Sequence, residues 1–258
     1  MSKRPNPLPW ACRWRTNLLQ LPIFVLWTVA CGSLSLLVSL VDRRGVAQHR
    51  IARVWAWGCV TVSGARLTVR GAENFKRAPL AVFASNHTSY MDTPVVFASI
   101  PMQFRILAKR ELWPIPFIGW YLNRSGQIPI NTANPRATLG SLGAAAKALK
   151  GGMPLFVFPE GGRTANGQLK PFLSGAAYLA IRSQTPLVPI ALSGVYGLLP
   201  IHTHHFYPGK ITMSIGKPIE TTGMTLHDSE ALTEKLRAAI AEMLLSDGTV
   251  DTGTSRSV

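Results

Sequence analysis

Acidic residues are scarce in this chain. Of 258 residues only 12 are Asp or Glu, against 27 Lys or Arg, a formal charge of +15. Between Asn74 and Ile219 there are three carboxylates, Asp92, Glu111 and Glu160, beside fourteen Lys and Arg. Such a stretch presents a positive field to an incoming anion. The few acids it keeps are candidates for specific work. Cysteine is scarcer still: Cys12, Cys31 and Cys59 are odd in number and form no CxxC. That excludes a disulfide framework and a cysteine zinc site, and fits a reducing compartment. No Gly-x-Ser-x-Gly elbow is present, so a serine hydrolase would lack its nucleophile. There is no phosphate-binding P-loop and no dinucleotide fingerprint. The basic residues are dispersed and no nucleic-acid motif occurs, so no nucleic acid is expected as a partner. His202-Thr203-His204-His205 has no acidic or cysteine partner at useful spacing, and no metal is expected.

What the chain does have is an apolar beginning. Residues 1–17 are polar and basic, and from Leu18 to Val41 there is no charge. A bilayer core needs about 20 apolar helical residues, so this stretch is long enough to span one. Its serines and Gly32 equally suit immersion in one leaflet. Basic residues flank both sides, so charge does not orient it. A second uncharged run, Val54 to Ala65, is too short to span as a helix. Five of the seven tryptophans precede residue 58, and tryptophan favours the membrane boundary. Residues 1–60 are therefore expected to form a membrane-associated anchor of two apolar helices, with a buried hairpin as the alternative.

From Arg66 onward short β-rich runs alternate with helical ones. The runs are Leu67–Val69, Leu80–Ala84, Arg105–Ala108, Gln127–Ile130, Leu155–Phe158, Leu187–Leu192 and Ile211–Ile215. Helical periodicity marks Thr138–Leu149, Ser174–Arg182 and a closing helix over Ser229–Leu245. The alternation predicts an α/β domain over 61–245, with a mixed, mostly parallel central sheet flanked by helices. The composition of 246–258 predicts a disordered tail.

Two segments carry candidate chemistry, each directly after a predicted strand. The first is Ser85-Asn86-His87-Thr88-Ser89-Tyr90-Met91-Asp92. Five residues apart, His87 and Asp92 would lie about 140° apart on a regular helix. They can pair only across a turn, where Asp92 would fix the imidazole tautomer and free the other nitrogen to take a proton. The bland alternative is a helix start, Ser89-x-x-Asp92 being a capping pattern. The second segment is Phe158-Pro159-Glu160-Gly161-Gly162-Arg163-Thr164. Its glycines allow backbone to approach a ligand, and Arg163 can grip a phosphate through two hydrogen bonds. A glycine-rich turn with a surface ion pair is the alternative.

Together these segments resemble the glycerolipid acyltransferases typified by 1-acyl-glycerol-3-phosphate acyltransferase. Asn86 and His87-x4-Asp92 resemble that family's first motif. Phe158 to Thr164 resembles the third, with Gly162 where Thr is commoner. Val188-Pro189-Ile190 resembles the fourth. Lys109-Arg110-Glu111-Leu112 with Pro116 and Gly119, and Pro171-Phe172 with Gly175-Ala176, resemble the stretches between. The likeness covers roughly residues 65–220. One departure stands out: Ile128-Pro129-Ile130-Asn131 is followed by Thr132, where the family carries a phosphate-contacting arginine, leaving Arg124 or Arg136 as substitutes.

The resemblance implies an O-acyltransferase of phospholipid biosynthesis. It would move a fatty acyl group from acyl-CoA or acyl carrier protein to the sn-2 hydroxyl of a lysophospholipid, 1-acyl-glycerol-3-phosphate. The alternatives are another acceptor (glycerol 3-phosphate, a lyso-ornithine lipid or a glycolipid) or a non-catalytic basic protein that binds lipid surfaces. The implied catalytic residues are His87 and Asp92. The implied substrate-binding residues are Asn86, Lys109, Glu160, Gly161, Gly162, Arg163 and Pro189. No cofactor or metal is implied. The lipid bilayer is the implied partner, at the cell membrane, with the site facing the cytoplasm.

Overall fold

The structure, a computed structural model, describes residues 10–131, 135–201, 203 and 205–248. Thr132, His202, His204 and the expected tail beyond 248 lie outside the described residues, as does the side chain of Arg136.

Seven strands form one sheet: β1 (Arg66–Arg70), β2 (Val82–Ser85), β3 (Arg105–Lys109), β4 (Ile128–Ile130), β5 (Leu155–Val157), β6 (Leu187–Ser193) and β7 (Lys210–Ile215). Their order is β1-β7-β6-β2-β5-β3-β4. Every neighbouring pair is parallel except β6 with β7. The expected mixed, mostly parallel sheet is what forms.

The central strands are buried on both faces, which is why they read as apolar runs rather than alternating ones. On β2, Phe83 joins one core cluster while Val82 and Ala84 join the other. On β5, Phe156 and the pair Leu155 and Val157 divide the same way. The first cluster takes in Ala52, Ala56, Cys59 and Val60 of α3 (Val46–Ser63) and Val95, Val96 and Phe97 of α5 (Asp92–Ser99). The second takes in Leu142, Ala145, Ala146 and Leu149 of α7 (Pro135–Lys150), Leu179 and Ala180 of α8 (Gly175–Ser183), and Leu232, Leu236, Ile240 and Leu244 of α10 (Ser229–Ser246).

The beginning of the chain departs from the expected two-helix anchor. One described helix is long and apolar enough to cross a membrane, Arg13–Val38, and it is mostly exposed, with 11% of its apolar window buried. It runs from α1 (Trp10–Arg15) through a π-helical turn (Thr16–Gln20) into α2 (Leu21–Val38), and Pro22, which has no N–H to give the ladder, lies next to the π-helical turn. The second run belongs to α3, a core helix of the α/β domain. Its small side chains at 52, 56, 59 and 60 pack on α5, while charged Arg50 is exposed. A domain boundary at 60 would cut this helix. Residues 246–248, expected as the start of the tail, are described. Ser246 ends α10, and the buried Asp247 carboxylate accepts hydrogen bonds from Ser193 and Ser214 and pairs with Arg70.

α2 and α3 are interlocked. Gly58 on α3 leaves the space that the Trp27 ring fills, a Cβ there falling 2.1 Å from Trp27 Nε1. That indole donates to the Trp55 carbonyl at 3.0 Å, and the Trp55 indole donates to Thr28 Oγ1 at 3.1 Å.

Candidate active site

Parallel β6, β2, β5 and β3 lie side by side, so their carboxyl ends meet at one edge of the sheet, where open α/β sheets bind ligands. Both motif segments and Lys109 emerge there. After β2 the chain turns through Thr88–Met91 and enters α5 at Asp92. The turn is closed by the Asp92 carboxylate. Its Oδ2 accepts the backbone N–H of Thr88 at 2.6 Å and of Ser89 at 2.8 Å. The same oxygen lies 2.8 Å from His87 Nδ1. Asp92 is fully buried, while the His87 side chain retains 11% exposure. An Nδ1–H donated to Asp92 leaves Nε2 for the cleft that His87 lines. The capping and catalytic readings of Asp92 are thus one arrangement: the carboxylate builds the turn and holds the ring.

The imidazole is fixed from its face as well. It stacks on Phe158, ring centroids 3.9 Å apart and 14° from parallel. Phe158 leads the second segment, which follows β5 beside β2. Glu160 reaches back so that its Oε1 accepts the His87 N–H at 2.7 Å. Thr164 donates its N–H to the His87 carbonyl at 3.1 Å. Burial of the Glu160 carboxyl outweighs the hydrogen bonds from His87 and Lys170 and pushes its pKa up to about 7. Gly161 has φ +67°, a conformation that favours glycine.

Arg163 donates Nε–H to the Ser89 carbonyl at 3.2 Å and lies over the Tyr90 ring, 4.2 Å from its centroid. Arg163 lines the same cleft as His87. Lys109 ends β3 with its ammonium beside Gly162, 3.5 Å from where a Cβ would stand. These groups rim a cleft of about 680 Å³. Its far walls are apolar: Ile106, Ile130, Leu139, Leu142, Leu173 and Ala176.

The structure brings together His87, Lys109, Gly161, Gly162 and Arg163 on that cleft, with Asp92 and Glu160 directly behind. It does not bring Asn86 or Pro189 there. The Asn86 amide is spent within the sheet, donating to the Leu192 carbonyl at 3.0 Å and accepting its N–H at 2.8 Å. It stitches β2 to β6. Pro189 is buried in β6 opposite Ala84, its ring against Gly216. Neither of these two expected substrate-binding residues lines the cleft. Arg124 is exposed at the end of α6 (Ile118–Arg124) and does not line the cleft.

One residue escaped the sequence reading. Lys170 donates from Nζ to the carbonyls of Gly162, at 3.3 Å, and Arg163, at 2.8 Å, and its N–H reaches Glu160 Oε2 at 3.4 Å. It ties down the loop that carries Arg163. A lone lysine before Pro171 gives no such signal in sequence.

A histidine oriented by a buried aspartate, beside free cationic groups and an apolar cleft at the strand ends, defines a site suited to deprotonating a hydroxyl of an anionic, partly apolar ligand. The comparisons with known proteins agree with that class. A family model described as Acyltransferase matches residues 66–193. The human 1-acyl-sn-glycerol-3-phosphate acyltransferase alpha is 30% identical over 212 residues, covering 82% of this chain and 75% of that one. The chloroplastic 1-acyl-sn-glycerol-3-phosphate acyltransferases of Brassica napus and Arabidopsis thaliana are 30% and 31% identical over 80% and 76% of this chain. The chain spans 59% and 54% of the lengths of those plant relatives. The fold is that of the crystal structure of the 1-acyl-sn-glycerophosphate acyltransferase from Thermotoga maritima, with a TM-score of 0.78 and 24% identity over 92% of this chain and 98% of that one. The chain belongs to the acyltransferase family.

Proposed function

We propose that this protein transfers a fatty acyl group from acyl-CoA or acyl carrier protein to the sn-2 hydroxyl of 1-acyl-glycerol-3-phosphate, giving phosphatidic acid at a membrane surface. The observation that carries the reading is the 2.8 Å contact of His87 Nδ1 with the buried Asp92 at the mouth of a cleft with one cationic rim and apolar walls. The names of the relatives supply the acceptor.

His87 Nε2 takes the acceptor's hydroxyl proton as the oxygen attacks the thioester carbonyl carbon. Asp92 holds the ring's tautomer and stabilises the imidazolium. The tetrahedral intermediate expels the thiolate, which recovers the proton from His87. No bond to the protein forms. Arg163 and Lys109 meet phosphate, and the apolar walls receive acyl chain, which would cost roughly 0.8 kcal/mol per CH₂ to leave in water. The exposed apolar helix Arg13–Val38 suits a protein whose donor chain, acceptor and product are all lipids. The reading sets the work at the cell membrane, on the cytoplasmic side where such donors are made.

The test is thiol release from palmitoyl-CoA with and without lysophosphatidate. We expect release that depends on the acceptor, and a loss of about 10³-fold or more in His87→Ala with the protein still folded and membrane-bound. Undiminished release in that variant refutes the mechanism. Salt-sensitive vesicle binding without any thiol release would make this a non-catalytic lipid-binding protein.

A further inference from the structure

After β3 and into the first turn of α6 the chain runs Trp113-Pro114-Ile115-Pro116-Phe117-Ile118-Gly119-Trp120. Four of these side chains stand in the open: Ile115 at 41%, Phe117 at 43%, Ile118 at 45% and Trp120 at 52% exposure. Scattered apolar residues on a surface need no account, but a contiguous cluster does. This one is built rigidly. Ile118 and Gly119 donate their N–H groups to the carbonyls of Pro116 and Ile115, each at 2.7 Å. Gly119 sits so tightly that a Cβ would fall 1.8 Å from the Trp113 carbonyl oxygen. Phe117 has φ +62°, unfavourable for a bulky residue, and its ring lies against Trp120 with centroids 5.2 Å apart. A strained backbone that holds two rings outward is hard to explain if water is what they meet.

Its two ends say what they meet. At the amino-terminal side, Lys109 and Leu112 line the catalytic cleft. At the carboxyl-terminal side, α6 packs against α2, whose outward residues Val25, Leu26, Val29 and Leu37 are exposed. The patch is therefore continuous with the apolar helix on one side and the cleft mouth on the other. Exposed Arg110 and Arg124 flank it, as suits anionic headgroups.

We propose that residues 113–120 are a second membrane contact, an aromatic wedge that sinks into the headgroup–acyl boundary of a leaflet and sets the cleft mouth against it. This rests on the reading that the protein works on lipids at a membrane. Paired aromatic rings favour that depth, and α2, interlocked with α3 through Trp27 and Gly58, fixes the wedge's height. The lysophospholipid then enters the cleft between Lys109 and Leu112 without crossing water.

The test uses the full chain with vesicles of equal phosphatidylcholine and phosphatidylglycerol. An environment-sensitive fluorophore is attached at Ile118→Cys and, as a control, at Glu234→Cys, exposed on α10 on the opposite face of the sheet; unsubstituted protein sets the labelling background. Position 118 should blue-shift and be quenched by doxyl lipid, and position 234 should do neither. An aqueous probe at 118 on bound protein overturns the proposal and leaves the patch to a protein partner. Independently, Phe117→Asn with Trp120→Gln, which keeps a residue tolerant of positive φ, should slow acylation of vesicle-borne acceptor by about tenfold. With short-chain donor and acceptor dissolved as monomers, it should match the parent within about twofold. An equal fall in both assays, or none in either, overturns it. Parent protein inactive in both assays would instead sink the acyl-transfer reading, and the depth at position 118 would still decide this one.

Discussion

His87 is held at its backbone N–H by Glu160, at its carbonyl by Thr164, at Nδ1 by Asp92 and at its ring face by Phe158. Only Nε2 is left for chemistry. Glu160 is the partner with the most to lose, because burial raises its pKa from 4.5 to about 7. Between those two values the folded state binds more protons at this site than the unfolded state does. Stability therefore falls as pH rises from 4.5 towards 7, by at most about 1.4 kcal/mol per pH unit. Glu160→Gln should remove this slope and leave the protein less pH-sensitive across that window in denaturant titrations. An unchanged slope would place the titrating group elsewhere. The pairing of His87 with Asp92 was legible in part: the five-residue spacing after a strand required a turn, and the roles expected of the two residues came from the family resemblance. The role of Asn86 was not, because an amide that joins two strands and an amide that contacts a ligand leave the same letter in the sequence. Lys170 was illegible for a related reason: its partners are backbone carbonyls, which no residue type announces.

At the scale of elements, the α2–α3 contact lets two glycines be compared. Gly58 accommodates Trp27, and a Cβ there would sit 2.1 Å from the indole nitrogen. Gly58→Ala gains about 1 kcal/mol of helix propensity. It must also displace a rigid ring and lose the Trp27 hydrogen bond to Trp55, an overpacking cost of about 1–3 kcal/mol plus about 1 for the bond. The net effect is destabilising, and thermal unfolding of the detergent-purified protein should come several degrees earlier. Gly32 on α2 has nothing within 4 Å of a Cβ, so Gly32→Ala should shift the same transition upward. Shifts of the same sign would deny the interlock. This pair also explains the misreading of the second apolar run. Small residues at 52, 56 and 59 leave room for a close neighbour, and composition alone cannot tell protein from lipid as that neighbour. The central strands β2, β5 and β6 were legible because a strand buried on both faces has little choice but Val, Leu, Ile, Phe and Ala, whereas exposed β1 was marked by the β-branched Thr68 and Val69. Short α6 was not legible, being about two turns held by packing rather than by periodicity.

For the molecule as a whole, the charge of +15 acts through distance rather than contact. Arg163 is half-buried and Lys109 exposed at the cleft, and few carboxylates lie in the surrounding 146 residues from Asn74 to Ile219 to cancel them. An acyl-CoA donor carries phosphates, so the field should concentrate it at the cleft, with an effect that weakens as the Debye length shrinks from about 10 Å at 0.1 M salt to about 3 Å at 1 M. Raising salt should therefore raise the KM for acyl-CoA by several-fold. The KM for an uncharged thioester of the same chain, such as acyl-N-acetylcysteamine, should barely move. The comparison removes the contribution of the membrane, because both donors place the same chain in the same lipid. If the two thioesters respond alike, salt acts on vesicle binding and the positive field serves the bilayer. If only acyl-CoA responds, the scarcity of acids around His87 serves capture of the donor.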